Sequence, residues 1–254
     1  MGLAGFILVG DQDKTKKLAA DAGLDISDFE LIHEPDDVLS CTKAVELVAQ
    51  GHATALMKGL IDTSVILKAA LDRETGIRIG RKLSHIAVFE LESYHKLLFL
   101  TDAAINIAPT IDDRVQIIQN AADALNSLGI TKPEVALLAA KEKADPKMPV
   151  TMDCAEIAKM PFENCIVDGP LALDCAISAE ACAIKGINSP VGGDADLLVV
   201  PDIEAGNVLY KSLAFLGGAR VGGVVLGAKR PIIMTSRADS ADSKLISIAL
   251  AVMS

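Results

Sequence analysis

The chain has 254 residues, of which 51% are apolar and 23% charged, and its formal net charge is −10. This acidic balance argues against non-specific nucleic-acid binding, which requires a basic face. No stretch approaches the roughly 20 apolar residues of a membrane-spanning helix, and the start, MGLAGFILVGDQDK, lacks the basic segment of a signal peptide. We therefore expect a globular cytoplasmic protein without membrane or nucleic-acid partners.

The cysteines and histidines predict neither disulfides nor a metal site. An odd number of cysteines, five, without a CxxC pair is typical of reduced thiols. The four histidines show no ligand spacing relative to the cysteines. We therefore expect no metal.

Along the first part of the chain, short apolar runs alternate with segments of helical periodicity. The pattern predicts strands at residues 5–10, 29–33 and 53–59 and helices at residues 11–22, 36–51 and 63–73. The runs HIAVFEL and KLLFLTD come next, and their short connection predicts a hairpin-like pair of strands.

The same alternation restarts after Pro109. It predicts helices at residues 112–128, 151–160, 173–185 and 204–216 and strands at residues 135–140, 165–167, 197–200 and 221–226. This order predicts an α/β fold with largely parallel sheets and helices on both faces. Because neither a GxGxxG loop after a strand nor a Walker motif occurs, we expect neither NAD nor ATP as a cofactor.

Before the final predicted helix, Thr235, Ser236 and Arg237 place two hydroxyl groups beside a guanidinium. Arginine offers a planar fork of donors, and the start of the next helix offers free backbone N–H groups. We interpret this loop as a site for phosphate or a phosphate-like group. In the alternative, Arg237 makes a surface ion pair and Ser236 caps the helix. Asp242 lies in the first turn of that helix, where acidic residues are favoured in any case.

Polar residues also follow several predicted strands. Lys58 ends one strand, Thr63 and Ser64 open the next helix, and Asp168 and Asp202 follow two later strands. Parallel sheets bind ligands outside the carboxyl ends of their strands, so we predict that these side chains bind substrate. In the alternative, Thr63 or Ser64 caps a helix, Lys58 is solvated, and the Asp-Gly-Pro motif at Asp168 only forms a turn.

Six stretches occur together in one order: ALMKGLIDTSVILKAAL, LSHIAVFE, TDAAINIAP, VDGPLALD, PDIEAGNVLYK and TSRADSADSKL. In these stretches the chain resembles the phosphate acetyltransferase/phosphate butyryltransferase family, nearer the butyryl branch. The resemblance implies two α/β domains with a cleft between them, like isocitrate and isopropylmalate dehydrogenases. With the breaks near residues 106–112 and 222–229, it implies a first domain of residues 1–107 and 225–254 and a second of residues 108–224. It also implies a homodimer or higher homo-oligomer.

The same resemblance implies reversible transfer of a short acyl group, butyryl before acetyl, between coenzyme A (CoA) and phosphate. No cofactor beyond CoA is implied. Arg237 would hold the phosphate, Ser236 would donate to the oxygen of the reacting carbonyl, and Asp242 would deprotonate the CoA thiol. Lys68 aligns with a family arginine that helps hold phosphate in the acetyl branch.

The block PDIEAGNVLYK is the most specific in the chain, and from it Asn207 and Lys211 are expected to bind substrate. Two departures from the family leave alternatives open. The acid of the acetyl branch matches the position of Ser243, and family members carry a further strand–helix–strand unit ahead of GFILVGD. Without that unit, we expect an exposed strand edge and a reduced substrate cleft. The alternatives are a noncatalytic paralogue that binds CoA or acyl phosphate, a phosphate acetyltransferase, and, ranked below these, a dehydrogenase.

Overall fold

A computed structural model describes residues 2–235 and 239–254. The chain divides into two compact units, Met1–Arg81 with Gly227–Asp239, and Lys82–Leu226 with Ser240–Ser254. These are called unit 1 and unit 2. In the part of the chain that the structure describes, no helix combines the length and the apolar character needed to cross a membrane.

Helices and strands alternate along most of the chain. The strands are β1 (Ile7–Gly10), β2 (Glu30–His33), β3 (Leu56–Met57), β4 (Ser84–Glu90), β5 (Leu98–Thr101), β6 (Glu134–Leu138), β7 (Ile166–Leu171), β8 (Leu197–Val199), β9 (Arg220–Leu226) and β10 (Ile232–Ile233). The helices are α1 (Gln12–Asp21), α2 (Asp37–Ala49), α3 (Thr63–Ala70), α4 (Ile111–Ser127), α5 (Pro149–Ile157), α6 (Leu173–Ile177), α7 (Ala179–Lys185), α8 (Ile203–Lys211) and α9 (Ala241–Met253).

Unit 1 contains two parallel strand pairs, β1 with β2 and β3 with β10. Helices α1 and α2 begin after Asp11 and Asp36, whose carboxylates accept hydrogen bonds from N–H groups of the first turn. α2 buries Cys41, Val45 and Val48, which share one helical face. The strands and helices predicted between residues 5 and 73 are confirmed in type and order.

In unit 2 the strands lie in the order β9-β4-β5-β8-β6-β7. β4 is antiparallel to both of its neighbours, whereas β5, β8, β6 and β7 run parallel. The antiparallel pairing of β4 with β5 confirms the predicted hairpin. Phe89, Leu100 and Leu198 are fully buried on one face of this sheet, against Leu209 and Tyr210 of α8. The α/β class is therefore confirmed, with a mixed and mostly parallel sheet.

The Asp-Gly-Pro motif at Asp168 does not form a turn. It lies inside β7, which continues to Leu171 beside β6. A Cβ added at Gly169 would lie 2.7 Å from the Leu137 Cβ and 2.7 Å from its carbonyl oxygen. The turn interpretation is therefore wrong, because the glycine is needed for the close approach of two strands.

Two predicted helices are interrupted. The segment predicted as one helix over residues 173–185 forms α6 and α7, separated at Ser178, whose hydroxyl accepts the N–H of Ala181. The segment predicted over residues 204–216 forms α8, which passes into a π-helical turn at Ser212–Leu216. The spacing of apolar residues predicted neither the break at Ser178 nor the π-helical turn, because it continues through both.

The unit boundaries differ from the domain boundaries predicted at residues 107 and 225. β4 and β5 belong to unit 2, because β4 pairs with β9 along its whole length. The last helix, α9, also belongs to unit 2 and packs on β9. There the Gly223 N–H donates to the Ser247 hydroxyl at 2.9 Å. Strand pairing over long sequence distances therefore sets the boundary.

Candidate active site

The parallel pair β3–β10 brings two predicted site segments to one edge of unit 1. Met57 lies opposite Ile233, and the Lys58 N–H extends the ladder by donating to the Ile233 carbonyl at 2.9 Å. The chain therefore leaves β3 at Lys58 and leaves β10 towards Thr235 at the same carboxyl edge. This is the edge at which parallel sheets bind ligands.

Ser236 and Arg237 follow Thr235 directly and lie outside the described residues. Thr235 itself is half-buried, two residues after the end of β10. The description resumes at Asp239, ahead of α9. The anion-binding roles of Ser236 and Arg237 stay predictions.

Lys58 shapes the loop that follows β3. Its ammonium group donates to the carbonyl oxygens of Gly59 at 3.3 Å and Ile61 at 3.0 Å. Both acceptors belong to the loop itself, so the lysine folds residues 58–62 around its own charge. The side chain is half-buried and brings a positive charge to the strand edge.

The same loop leads into α3, whose start has no side-chain cap. Asp62 has the extended backbone of an N-cap residue, but its carboxylate makes no capping hydrogen bond with the described residues. Thr63 and Ser64 are exposed in the first turn, so neither is the cap, and Lys68 is exposed in the last turn. An uncapped first turn presents backbone N–H groups to an anion.

Asp242 is held in an ion pair within unit 2. Its carboxylate accepts from Arg220 Nε at 2.9 Å and Nη2 at 3.0 Å, and Arg220 Nη1 donates to Glu90 at 2.6 Å. The hydrogen bonds from Arg220 lower the pKa of the Asp242 carboxyl. A lowered pKa makes the carboxylate a weaker base, so this geometry favours anchoring of the α9 start over proton abstraction. At the neighbouring position, Ser243 donates its N–H to the Ser240 hydroxyl at 3.0 Å.

Three predicted substrate-binding residues belong to the start and outer face of α8. Asp202 caps the helix by accepting the Ala205 N–H at 2.8 Å. Asn207 and Lys211 are exposed and lie one turn apart on one face. Gly206, which lies between Asp202 and Asn207, is buried. A Cβ added there would lie 2.8 Å from the Asp102 carbonyl oxygen. The backbone of α8 therefore lies close to the segment after β5 at this glycine.

Asp168 does not share the strand-end position that was predicted for it. It lies inside β7 and is half-buried. Its carboxylate accepts the Ser189 hydroxyl at 2.5 Å. Asp168 therefore connects β7 to the loop before β8 through this hydrogen bond.

Comparison with known proteins gives a match along the same chain. The family model described as "Phosphate acetyl/butaryl transferase" matches residues 34–252. The chain belongs to this family. The phosphate butyryltransferase of Clostridium acetobutylicum is 44% identical over 256 residues, which cover 99% of this chain and 85% of that protein.

Solved structures agree with the family and its fold. A branched-chain phosphotransacylase from Enterococcus faecalis V583 superposes with a TM-score of 0.87 at 38% identity, covering 97% of this chain and 96% of that chain. A putative 4-hydroxythreonine-4-phosphate dehydrogenase from Salmonella typhimurium superposes at 0.58 and 15% identity, over 99% of this chain and 90% of that chain. The latter likeness concerns the fold alone and supports the dehydrogenase-like α/β class.

In this family member, sequence reasoning missed a buried polar network at the carboxyl end of β5. Asp102 is 3% exposed and accepts the N–H groups of Ala104 and Ile105 at 2.9 Å each and the side-chain amide of Asn106 at 2.6 Å. On β4, burial lowers the pKa of His85, and its Nδ1 has no partner among the described residues. An aspartate directly after an apolar strand, with asparagine four residues later, was the available signal.

A second network follows β6 and β7. The side chains of Glu142, Asp174 and Cys175 offer potential metal ligands within 4.8 Å of one another. The Lys185 ammonium group already contacts both carboxylates at 2.8 Å and lowers the pKa of each. Burial raises the pKa of the Cys175 thiol to about 12, so the thiol is protonated at neutral pH. These contacts form an ion-pair network that reaches the surface through Lys185 and Asp174.

Proposed function

We propose that this protein transfers a short acyl group, butyryl before acetyl, between CoA and phosphate: acyl-CoA + phosphate = acyl phosphate + CoA. The family match over most of the chain supports the reaction class. One structural observation carries the site. Lys58 and the segment that begins at Thr235 leave adjacent parallel strands at the same edge, beside the uncapped start of α3.

In the direction of acyl-CoA formation, the CoA thiolate attacks the carbonyl carbon of the acyl phosphate. The sulfur–carbon bond forms, the carbon–oxygen bond to phosphate breaks, and phosphate leaves with the bonding electrons. We propose that Arg237 holds the phosphate and that Ser236 donates to the carbonyl oxygen as negative charge develops there. The residues contribute chiefly by holding the two substrates in a reactive arrangement.

The cations and hydroxyls of unit 1 are proposed to hold the anionic groups of the substrates. Lys58 and Lys68 supply positive charge, and Thr63 and Ser64 supply hydroxyl and backbone donors at the start of α3. Lys68 differs from the arginine of the acetyl branch because an ammonium lacks the planar fork that binds two oxygens at once. We therefore expect weaker phosphate binding through this position than an arginine would give.

In unit 2, Asp168, Asp202, Asn207 and Lys211 are proposed to contact substrate. Asn207 and Lys211 are the best placed, because both are exposed on one face of α8. Asp202 and Asp168 already accept hydrogen bonds within the protein. The family resemblance gives Asp242 the role of accepting the thiol proton, whereas its ion pair with Arg220 favours anchoring of α9. Variants of both residues distinguish the two roles.

We propose no cofactor beyond CoA, a cleft between two domains as the family resemblance implies, and a homodimer or higher homo-oligomer. Light scattering at micromolar concentration should give at least twice the mass of one chain. A clean monomer at that concentration would contradict the assembly proposal.

The test of the reaction is phosphate-dependent release of CoA. The purified chain is mixed with butyryl-CoA, with and without inorganic phosphate, and free thiol is followed over time. We expect release only with phosphate, and a higher kcat/KM for butyryl-CoA than for acetyl-CoA. A higher value for acetyl-CoA would indicate a phosphate acetyltransferase. CoA binding in calorimetry without turnover of either substrate would instead support the noncatalytic alternative.

A further inference from the structure

Leu60 is a large apolar side chain with 76% of its surface exposed. Singly exposed leucines are common on proteins and need no explanation by themselves. The position of this one is unusual, because it lies in the loop between Lys58 and the start of α3. That loop belongs to the strand edge proposed to bind the anionic groups of the substrates.

The loop holds Leu60 outward. The Lys58 ammonium group donates to the carbonyl oxygens on both sides of it, those of Gly59 and Ile61. Ile61 is partly buried, as is Val65 in the first turn of α3, whereas Leu60, directly before Ile61, is exposed. The residues around Leu60 are therefore tied to the protein, and its side chain is left at the tip of a fixed loop.

An acyl phosphate joins a charged group to an apolar chain through a single carbonyl. A site that holds its phosphate with cations therefore places the acyl chain within a few ångströms of those cations. Among the described residues of this loop, Leu60 is an exposed large apolar side chain and lies two residues after Lys58 in the sequence. Covering it with an alkyl chain would remove apolar surface of both partners from water.

We propose that Leu60 contacts the acyl chain of the substrate and sets the preference for butyryl over acetyl. This inference rests on the proposed acyl transfer and adds a specificity-determining residue to it. The preferred substrates are unsubstituted alkyl chains of three or four carbons. Acyl groups that end in a carboxylate or hydroxyl are disfavoured, because they would be desolvated against the leucine.

The experiment compares kcat/KM for butyryl-CoA and acetyl-CoA, with saturating phosphate, in the full chain and in three variants. Leu60→Ala removes most of the contact, Leu60→Gln keeps the length but ends in a polar group, and Leu60→Met keeps an apolar chain. One methylene in an apolar site is worth roughly 10-fold or more in discrimination. At this exposed position we expect the butyryl-to-acetyl ratio to fall about 10-fold in Leu60→Ala and Leu60→Gln.

Leu60→Met should keep the ratio within about twofold of the parent chain, because size and polarity are conserved. Leu24→Ala is the matched control, since Leu24 is 64% exposed in the same unit and lies outside the proposed site. The inference falls if folded Leu60→Ala and Leu60→Gln keep the parent ratio, while the proposed function stands. If the parent chain releases CoA from neither substrate, the proposed function itself falls, and the inference with it.

Discussion

The loops that follow β3 in unit 1 and β5 in unit 2 both begin at the carboxyl end of a strand. They differ in whether their polar groups are buried or exposed to solvent. After β5, the Asp102 carboxylate is buried and accepts hydrogen bonds from N–H groups of Ala104, Ile105 and Asn106. After β3, the loop leaves Leu60, Thr63 and Ser64 exposed before a helix without a side-chain cap.

The difference follows from burial. A buried carboxylate must find its hydrogen bonds inside the protein, so the Asp102 loop is shaped by its own requirements. An uncapped helix start and exposed hydroxyl groups are satisfied by water and can exchange that water for a substrate. The comparison therefore assigns a structural role to the β5 loop and supports the substrate-binding role proposed for the β3 edge.

The largest expected effect comes from the segment after β10. Arg237→Ala should lower turnover at least about 100-fold and weaken binding of phosphate or acyl phosphate, because a guanidinium makes paired, charge-assisted hydrogen bonds to such groups. Steady-state kinetics with varied phosphate measures both effects. Arg230→Ala is the control, since Arg230 is an exposed arginine that lies earlier in the same unit. Near-normal kinetics in folded Arg237→Ala would show that Arg237 does not bind substrate. That result would also remove much of the support for a substrate site at the β3 edge.

Alanine substitutions at two glycines compare how closely the backbone packs at the β5 loop and at the β3 loop. An added Cβ at Gly206 would lie 2.8 Å from the Asp102 carbonyl oxygen, whereas one at Gly59 meets no atom of the described residues within 4 Å. Gly206→Ala should therefore lower the free energy of unfolding by about 1–3 kcal/mol through overpacking. Gly59→Ala should change it by no more than about 0.5 kcal/mol. Urea unfolding of the two variants checks this, and equal losses would mean that the β5 loop is not the more constrained region.

The smallest effects concern Asp242 and Arg220. The ion pair lowers the pKa of Asp242 in the folded protein, so its stabilising contribution is present above about pH 4, the ordinary range of aspartate, and is lost as pH falls through the lowered pKa. Asp242→Asn and Arg220→Gln should each be less stable than the parent at pH 7. Thermal melts should show that this difference narrows below about pH 4.

The same two variants test the proton-transfer role. If the ion pair only anchors α9, both should lose a similar, modest fraction of activity, with no trend between pH 6 and 9. This is the result we expect from the geometry. A loss confined to Asp242→Asn that shrinks as pH rises would instead identify Asp242 as the base, because the CoA thiol ionises unaided at higher pH.

Much of the secondary structure around the candidate site was predictable because its signals are local. The β3 strand, the loop at Lys58 and the start of α3 follow from an apolar run, a glycine and a change to helical spacing within about 20 residues. The roles of Ser236 and Arg237 came from residue chemistry and family resemblance and stay predictions. The network of Asp102 with Asn106 was missed, because nothing local distinguishes a carboxylate that turns inward from one that stays in solvent.

Sequence by itself determined the α/β class, the order of helices and strands, the β4–β5 hairpin and the family. Each of these follows from short-range periodicity, from turn-forming residues or from motifs that occur in a fixed order. Only the tertiary structure decided that β4 pairs with β9, that α8 approaches Asp102 through Gly206, and that Arg220 binds both Glu90 and Asp242. Arg220 and Glu90 are 130 residues apart, and such contacts depend on how sheets close and helices pack, which residue spacing along the chain does not specify.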